Sequence, residues 1–329
     1  DLKNGNIHDI TTSMAWSWQQ GCRLRWHPLL EDTVILNNCV DGKYVTEVWS
    51  IKNNKSTLLN RYPVAFYDID SNFQYGISVN FSRLQRLRPG YGYTNLQDNT
   101  MNEFVPVNDG IWRYDFETGK NKLLYSLKDL VDLTPEAKGK WNYVNHVSFA
   151  PDGKQFMFFH IWTEGPESRW KLKLYISDIH GKELQCIEEE QITSHYCWRN
   201  NDELLTTTVG FGGTRSYYNM YVISNLEKKV IDSGNLLYDG HPSYLPDKEQ
   251  FISDTYPLDG GMQQLFSINR NGSEYKRICT IYSDDRYFGE KRCDLHPRVT
   301  EDGQRISIDS NCSGVRSVYL LKRKLTNTN

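Results

Sequence analysis

One turn recurs along the chain in a fixed register, as Phe149-Ala-Pro-Asp-Gly153, Tyr244-Leu-Pro-Asp-Lys248 and Val299-Thr-Glu-Asp-Gly303. The stretch Trp198-Arg-Asn-Asn-Asp202 fits the same register with one residue added. After each turn comes a run of β-forming residues, then a loop, a third strand that ends in a polar turn, and a fourth strand. The third strands are predicted at residues 172–178, 217–223, 264–269 and 316–321, and two earlier ones at 45–51 and 110–115. The sequence therefore predicts six modules of one kind.

Six such modules predict an all-β fold, a β-propeller of four-stranded antiparallel blades. Repeats of roughly 40 to 50 residues with four strands each are typical of propeller blades, and closure of the ring protects the sheet edges. A two-sheet sandwich is the alternative, but a sandwich does not require a shared register between modules. We expect one domain over residues 1–329, with a long rim loop at 82–109 in the second module and a short helix at 129–138. Residues 1–10 are expected to form the outer strand of a blade.

Composition and charge limit the kinds of partner. The 329 residues include 21 Tyr and 9 Trp but no long apolar run, so we expect no membrane span. A net charge of -3 gives no general attraction to nucleic acid, and protein partners cannot be read from the sequence. Seven cysteines at irregular spacing argue against a disulfide framework and favour a reducing compartment. We expect a cytoplasmic or periplasmic protein, and the cysteines favour the cytoplasm.

Four of the eight histidines share one position in the repeat. His146, His195, His241 and His296 each lie three residues before the first residue of the aligned turn. Since the first strand of a blade lines the central channel, these side chains are expected near one rim of a propeller. The alternative is that they are hydrogen-bonded core histidines.

The segment 82–109 carries residues suited to an acidic sugar. Arginines offer planar forks for carboxylates, and tyrosines offer flat faces for sugar rings. We therefore expect an anionic polysaccharide or oligosaccharide to be bound by Arg83, Arg88, Tyr91, Tyr93 and His195. A solvated basic loop is the alternative interpretation.

Two further groups of residues are predicted at the rim. His241, Asp254, Cys293 and His296 supply the number and type of ligands of a tetrahedral zinc site, and a hydrogen-bonded histidine–aspartate pair is the alternative. The second group, the predicted catalytic set, is His146, His160, Tyr196, Arg215 and Tyr256. These residue types favour β-elimination from a uronate, because that reaction needs a base, an acid and a group that neutralises the carboxylate. A glycosidase would instead need two facing carboxylates.

Several motifs resemble one family, the propeller polysaccharide lyases, which includes oligogalacturonate lyases and ulvan lyases. These motifs are Trp16-Ser-Trp-Gln-Gln-Gly-Cys22, Trp26-His-Pro28, Arg88-Pro-Gly-Tyr-Gly-Tyr93, Gly240-His-Pro-Ser-Tyr-Leu-Pro246, Ser253-Asp-Thr-Tyr-Pro257 and Arg292-Cys-Asp-Leu-His-Pro-Arg298. The resemblance implies seven blades in the family, with the first incomplete in this chain. It also implies catalytic roles for His146, His160, Arg215, Tyr256 and Tyr196.

The same resemblance implies one divalent metal. Oligogalacturonate lyases hold manganese through histidines at positions that resemble His241 and the stretch before Pro297. Where that family has a second histidine and a glutamine, this chain has Asp294, Cys293 and Lys291, so a structural zinc, as in ulvan lyases, is expected before manganese.

The function predicted from the sequence is that of a polysaccharide lyase, a carbon–oxygen lyase that cleaves a uronic-acid-containing glycan. The alternative is a non-catalytic glycan-binding or scaffold propeller, in which the same arginines and tyrosines hold a sugar without turnover. A metal-dependent hydrolase is the third class, and chelation and saturated products would distinguish it.

Overall fold

The computed structural model describes residues 7–52, 55–166, 168–209, 216–231 and 238–323. The chain divides into two compact units, Asp1–Gln185 (unit 1) and Cys186–Asn329 (unit 2). No helix among the described residues is long and apolar enough to cross a bilayer.

Three antiparallel sheets begin in unit 1, and we number them in chain order. Sheet 1 is β1 (Arg25–Trp26), β2 (Thr33–Val40), β3 (Lys43–Ser50) and β4 (Thr57–Tyr62). Sheet 2 is β5 (Asp68–Ile69), β6 (Tyr75–Ser78), β7 (Gly110–Asp115) and β8 (Asn121–Ser126). Sheet 3 is β9 (Trp141–Phe149), β10 (Gln155–Thr163), β11 (Trp170–Asp178) and β12 (Leu184–Glu188).

Unit 2 continues the same pattern. Sheet 4 is β13 (Ile192–Trp198), β14 (Glu203–Val209), β15 (Ser216–Val222) and β16 (Glu227–Ile231). Sheet 5 is β17 (Ser243–Tyr244), β18 (Gln250–Asp254), β19 (Met262–Asn269) and β20 (Tyr275–Tyr282). Sheet 6 has three strands among the described residues, β21 (Arg298–Val299), β22 (Arg305–Ser310) and β23 (Ser317–Lys322).

Every strand pairs with its neighbour in the chain, so each sheet is an antiparallel meander. Six successive meanders of this kind are the blades of a β-propeller, and the predicted fold class is confirmed. The described part of the predicted first strand, Ile7–Ile10, has no strand conformation, and residues 1–6 lie outside the described residues.

The turn that predicted the repeat has the same geometry in three blades. The backbone bond that closes it runs from Ala150 N–H to Gln155 O (2.9 Å), from Leu245 to Gln250 (2.8 Å) and from Thr300 to Arg305 (3.0 Å). The fifth residue of each five-residue turn has a left-handed backbone, with φ of 74° at Gly153, 59° at Lys248 and 69° at Gly303. The Asp-Gly pattern is therefore a hairpin signal with a physical cause, because glycine adopts this conformation without strain.

Hydrophobic cores lie between sheets 1 and 2, between sheets 4 and 5, and between sheets 5 and 6. In β10 nearly every side chain is buried, including Phe156, Met157, Phe158 and Phe159. Outer strands such as β23 alternate between half-buried and exposed residues. In unit 2, Phe251 and Phe266 belong to the core shared by sheets 4 and 5.

Two short helices interrupt the sheets. Helix α1 (Phe81–Leu87) lies in the long insertion between β6 and β7, and it begins where Asn80 accepts a hydrogen bond from Arg83 N–H. Helix α2 (Leu127–Asp132) begins at a capping box of Ser126 and Asp129 and is followed by a 3₁₀ turn at Pro135–Ala137. The helix predicted at 129–138 is thus confirmed in part, because α2 begins at Leu127 and ends at Asp132 and only the 3₁₀ turn lies in the rest of that range. Helix α1 was not predicted.

Candidate functional site

Three of the four aligned histidines lie together in unit 2. His195 belongs to β13, while His241 and His296 each lie two residues before the first strand of their sheet. The ring centroids of His195 and His241 are 4.0 Å apart, and those of His241 and His296 are 4.1 Å apart. A shared position in the repeat therefore brings these side chains to one place, as the sequence predicted. We call His195, His241, His296 and the aspartates that contact them the histidine–aspartate centre.

The backbone at the centre is shaped to present these side chains. The pairing of β13 with β14 shifts by one residue at His195, a bulge that redirects the side chain. His296 has a φ of 42°, a conformation that a non-glycine residue adopts only when its surroundings hold it. A Cβ atom at Gly240 would lie 1.9 Å from the backbone carbonyl oxygen of Asp254. Only glycine at this position therefore lets the chain before His241 come so close to Asp254.

Asp254 orients the histidines. The side chain is fully buried and accepts hydrogen bonds from His241 N–H (2.6 Å) and His296 N–H (3.1 Å). The same carboxylate lies 2.9 Å from His241 Nδ1, which places the ring proton on Nδ1 and leaves Nε2 as an acceptor. Asp254 was predicted as a metal ligand, with a hydrogen-bonded histidine–aspartate pair as the alternative. The structure shows that pair, and the residues it groups as able to hold a metal ion are His241, Asp294 and His296. An orienting carboxylate behind a histidine is the usual support of a metal ligand.

The charge state of His241 suits a metal ligand. Burial lowers the pKa of His241 well below its usual value, and the neighbouring His195 and His296 lower it further. The ring therefore stays neutral at pH 7, and a neutral imidazole is the form that binds metals.

Asp294 is the third residue of a group that could hold a metal ion, at the place where the sequence predicted Cys293. The ligand atoms of His241, Asp294 and His296 lie within 4.8 Å of one another. Asp294 and His296 are two residues apart, a spacing that puts side chains on one side of an extended segment, whereas Cys293 is out of phase. Burial also raises the pKa of the Cys293 thiol to about 11, so the free thiol ionises less readily than an ordinary cysteine. Two nitrogens and one oxygen fit a divalent cation with open coordination positions.

Arg292 and Tyr256 border this group. Nε of Arg292 lies 2.7 Å from both carboxylate oxygens of Asp294, which keeps the buried carboxylate charge-compensated. The Arg292 guanidinium lies over the Tyr256 ring at 4.7 Å, and that ring is 5.9 Å from the ring of His241. Predicted catalytic Tyr256 is therefore at the centre. Tyr196 follows His195 in β13, so strand alternation directs it to the other face, and Arg215 lies outside the described residues.

His195 is paired with a carboxylate of its own. Its Nδ1 lies 3.3 Å from Asp239 Oδ1, and its side chain is only 12% exposed. Burial alone would raise the pKa of Asp239, but His195 and its neighbours hold that pKa below the usual value. An ionised aspartate behind an imidazole is the arrangement that orients a general base.

The other predicted residues lie in unit 1. His160 is fully buried in the middle of β10, and its Nε2 is 2.9 Å from Asn142 Oδ1. Burial, with a contribution from Lys173, lowers its pKa to about 3. The catalytic role predicted for His160 is therefore wrong, because β10 runs on to Thr163 and encloses the ring. His146 is half-buried, with its ring 5.9 Å from that of Tyr91.

The substrate-binding residues predicted in the insertion differ in how deeply they are buried. Arg83 is 1% exposed, and its guanidinium donates to the carbonyl oxygens of Asn142 (2.6 Å), Thr100 and Glu103. Tyr93 is equally buried, stacks on Phe81 at 4.4 Å and lies 2.9 Å from Asn37 through its hydroxyl. The substrate-binding roles predicted for Arg83 and Tyr93 are therefore wrong, because both side chains fasten the insertion to the sheets.

The two remaining residues of this predicted ligand set in the insertion, Arg88 and Tyr91, are half-buried and reach the surface.

Comparison with known proteins supports the fold. No protein-family model matches the chain, and no curated protein matches it by sequence. An oligogalacturonate lyase in complex with manganese is 14% identical, with a TM-score of 0.63 over 89% of this chain and 74% of that one. The oligogalacturonate lyase of Vibrio parahaemolyticus is also 14% identical, with a TM-score of 0.61 over the same shares. The tricorn protease is 9% identical, with a TM-score of 0.56 over 91% of this chain and 29% of its own.

The chain has the fold of oligogalacturonate lyases. At 14% identity this likeness extends to the fold alone, and the function has to be argued from the centre.

Three residues in or beside the centre were not predicted from the sequence. Asp294 and Arg292 stood inside a quoted motif, and the spacing Asp294-Leu-His296 was the signal that could have identified the ligand pair. The sequence indicated Asp239 more weakly. It lies two residues before His241, and its contact with His195 depends on how sheets 4 and 5 pack together.

Proposed function

We propose that this protein is a polysaccharide lyase that cleaves a uronic-acid-containing glycan by β-elimination at the histidine–aspartate centre. One observation supports it best. A candidate general base, His195 with its carboxylate partner Asp239, lies beside three residues that could hold a metal ion, His241, Asp294 and His296. The fold shared with oligogalacturonate lyases agrees with this proposal.

The reaction needs three groups around the sugar. His195 takes the proton beside the carboxylate, because its Nδ1 is held by Asp239 and its Nε2 is the remaining acceptor. The electron pair of that C–H bond forms the new double bond, and the glycosidic oxygen on the next carbon leaves. Tyr256 supplies a proton to that oxygen, and Arg292 over its ring favours the ionised phenolate that results.

The metal-ligand set would act on the substrate carboxylate. A divalent cation held by His241, His296 and Asp294 would neutralise that carboxylate and so increase the acidity of the neighbouring C–H bond. Because no thiolate takes part, two nitrogens and an oxygen suit manganese as well as zinc. We therefore propose one divalent cation at the centre and do not restrict it to zinc.

Product formation tests the proposal directly. The protein, stripped with a chelator and reloaded with manganese or zinc, is incubated with a panel of uronate polysaccharides, and the ultraviolet absorbance of an unsaturated uronate is followed. We expect product with at least one substrate and a loss of roughly 100-fold or more in His195→Gln, the size of a typical general-base contribution. His241→Ala should lose metal and activity together.

His180→Gln is the matched control, since His180 is an exposed histidine in unit 1. Its rate should equal that of the wild type. Folded, metal-loaded protein that forms no product across the panel would overturn the lyase proposal, and glycan binding without turnover would favour a binding propeller instead.

A further inference from the structure

A rigid turn in unit 1 presents one arginine beside two aromatic rings. Helix α1 ends at Leu87, and Arg88 closes it with a backbone hydrogen bond to Leu84 O (2.8 Å). The chain then reverses, so that Tyr91 N–H donates to Arg88 O (3.2 Å). The side-chain oxygen of Gln85 accepts from Gly90 N–H (3.0 Å) and so fixes the turn. Arg88 and Tyr91 are therefore held in a fixed relation by backbone bonds.

The guanidinium of Arg88 lies against both rings. Its central carbon is 5.2 Å from the centroid of Tyr91 and 5.0 Å from that of Trp170 in β11. Contacts of this kind attract a cation and hold the guanidinium plane in one orientation. An arginine fixed in this way loses less conformational entropy when it binds a ligand than a freely rotating one does.

The charge of Arg88 is not balanced as the charges of its neighbours are. Arg83 and Arg86, on the same helix, both face Asp98, at 3.8 Å and 2.9 Å. Within the described part of the chain, no carboxylate lies within ion-pair distance of Arg88, although the side chain is half-buried. A half-buried cation that is positioned by rings and lacks a carboxylate is suited to bind an external one.

The ring of Tyr91 packs against the ring of His146. Their ring centroids are 5.9 Å apart, and the His146 ring also packs against Phe159 at 5.1 Å. His146 has a φ of 54°, and its N–H donates to the buried hydroxyl of Tyr67 at 2.9 Å. This strained backbone fixes the ring against which Tyr91 lies.

We propose that Arg88, Tyr91 and Trp170 form a binding site in unit 1 for the carboxylate of an organic acid, and that this site shares no residue with the histidine–aspartate centre. The guanidinium edge donates paired hydrogen bonds to the planar carboxylate, and the two rings keep that edge directed outward. The proposal does not depend on lyase activity.

Ligand-observed NMR titration tests the site with small molecules that the proposed reaction cannot cleave. Galacturonate, acetate, galactose and inorganic phosphate are titrated into the wild type, Arg88→Gln, Arg88→Lys and Arg169→Gln. We expect galacturonate to bind the wild type and to weaken by about ten-fold in Arg88→Gln. Arg88→Lys should weaken similarly, because it keeps the charge and loses the planar fork.

Arg169→Gln is the matched control, since it removes the same charge from an exposed arginine next to Trp170 and should bind as the wild type does. Equal binding of acetate and galacturonate would assign the site to the carboxylate alone, and tighter galacturonate binding would assign it to an acidic sugar. Equal binding of galactose, tighter binding of phosphate, or full affinity in Arg88→Gln would overturn the proposal.

His241→Ala separates this site from the centre. The variant should keep its Arg88-dependent galacturonate binding whether or not the wild type is a lyase. Loss of all galacturonate binding in folded His241→Ala would overturn the assignment to Arg88.

Discussion

At the scale of single residues, His160 makes stability depend on pH. Its pKa is lowered from 6.5 to about 3 by burial and by Lys173, so the folded state keeps it neutral while the unfolded chain takes up a proton. Its contribution is complete above pH 6.5 and is lost as the pH falls toward 3. We expect His160→Gln, which can still donate to Asn142, to reduce the slope of unfolding free energy by about 1.4 kcal/mol per pH unit between pH 6 and 4, roughly one proton.

Urea unfolding at a series of pH values measures this slope. Exposed His180 is again the control, and His180→Gln should keep the wild-type slope. Burial lowers the pKa of His241 too, so some slope remains in His160→Gln. An unchanged slope in His160→Gln would show that His160 is protonated in the folded state.

The residue roles show where sequence reasoning stops. The repeat predicted that the aligned histidines share one position in their blades, and three of the four, His195, His241 and His296, lie together. It left open whether Asp254 is a metal ligand or the hydrogen-bonded partner of a histidine, and it did not include Asp294 in the candidate ligand set. That choice depends on which carboxylate the backbone N–H groups already occupy. It also could not separate buried Arg83 from half-buried Arg88, five residues apart on one insertion.

At the scale of elements, the contact between α1 and the following turn depends on Gly92. A Cβ atom there would lie 2.0 Å from Phe81 O and 2.4 Å from Gln85 N, and neither backbone atom can move without displacing the helix. We expect Gly92→Ala to lower the free energy of unfolding by about 1–3 kcal/mol, the usual cost of overpacking. Urea unfolding measures it, and carboxylate binding by Arg88 should weaken with it.

Gly165→Ala is the control for that substitution, because its Cβ would meet only Ser168 Oγ, at an ordinary 3.8 Å. Its effect should stay within about 0.5 kcal/mol. A neutral Gly92→Ala would mean that α1 shifts freely against the turn.

The elements also differ in how well the sequence predicts them. Turns with Asp-Gly at a left-handed position carry a local signal, so the blades were found from them. Helix α1 has seven residues, too few for a helical period to stand out, and it is held by Asn80 and by contacts of Arg83 with distant carbonyl oxygens. Such contacts are decided by tertiary packing, which a local pattern does not contain.

At the scale of the whole molecule, each unit contains one of the two proposed sites. Unit 1 holds the proposed carboxylate site of Arg88, Tyr91 and Trp170, and unit 2 holds the histidine–aspartate centre. A cation bound at the centre would connect the first strands of sheets 5 and 6 through His241 and His296. Any stabilisation by metal should therefore be concentrated in unit 2.

Hydrogen exchange with and without manganese or zinc measures that distribution. A ligand at 100 times its dissociation constant stabilises the folded state by about 2.7 kcal/mol. We expect slower exchange in peptides that contain His195, His241 and His296, and little change in peptides from β2 and β3. Asp294→Asn should abolish the protection because it weakens the third proposed ligand. Asp302→Asn should keep it, because Asp302 is an exposed aspartate in the turn between β21 and β22. Equal protection in both variants would place the cation elsewhere.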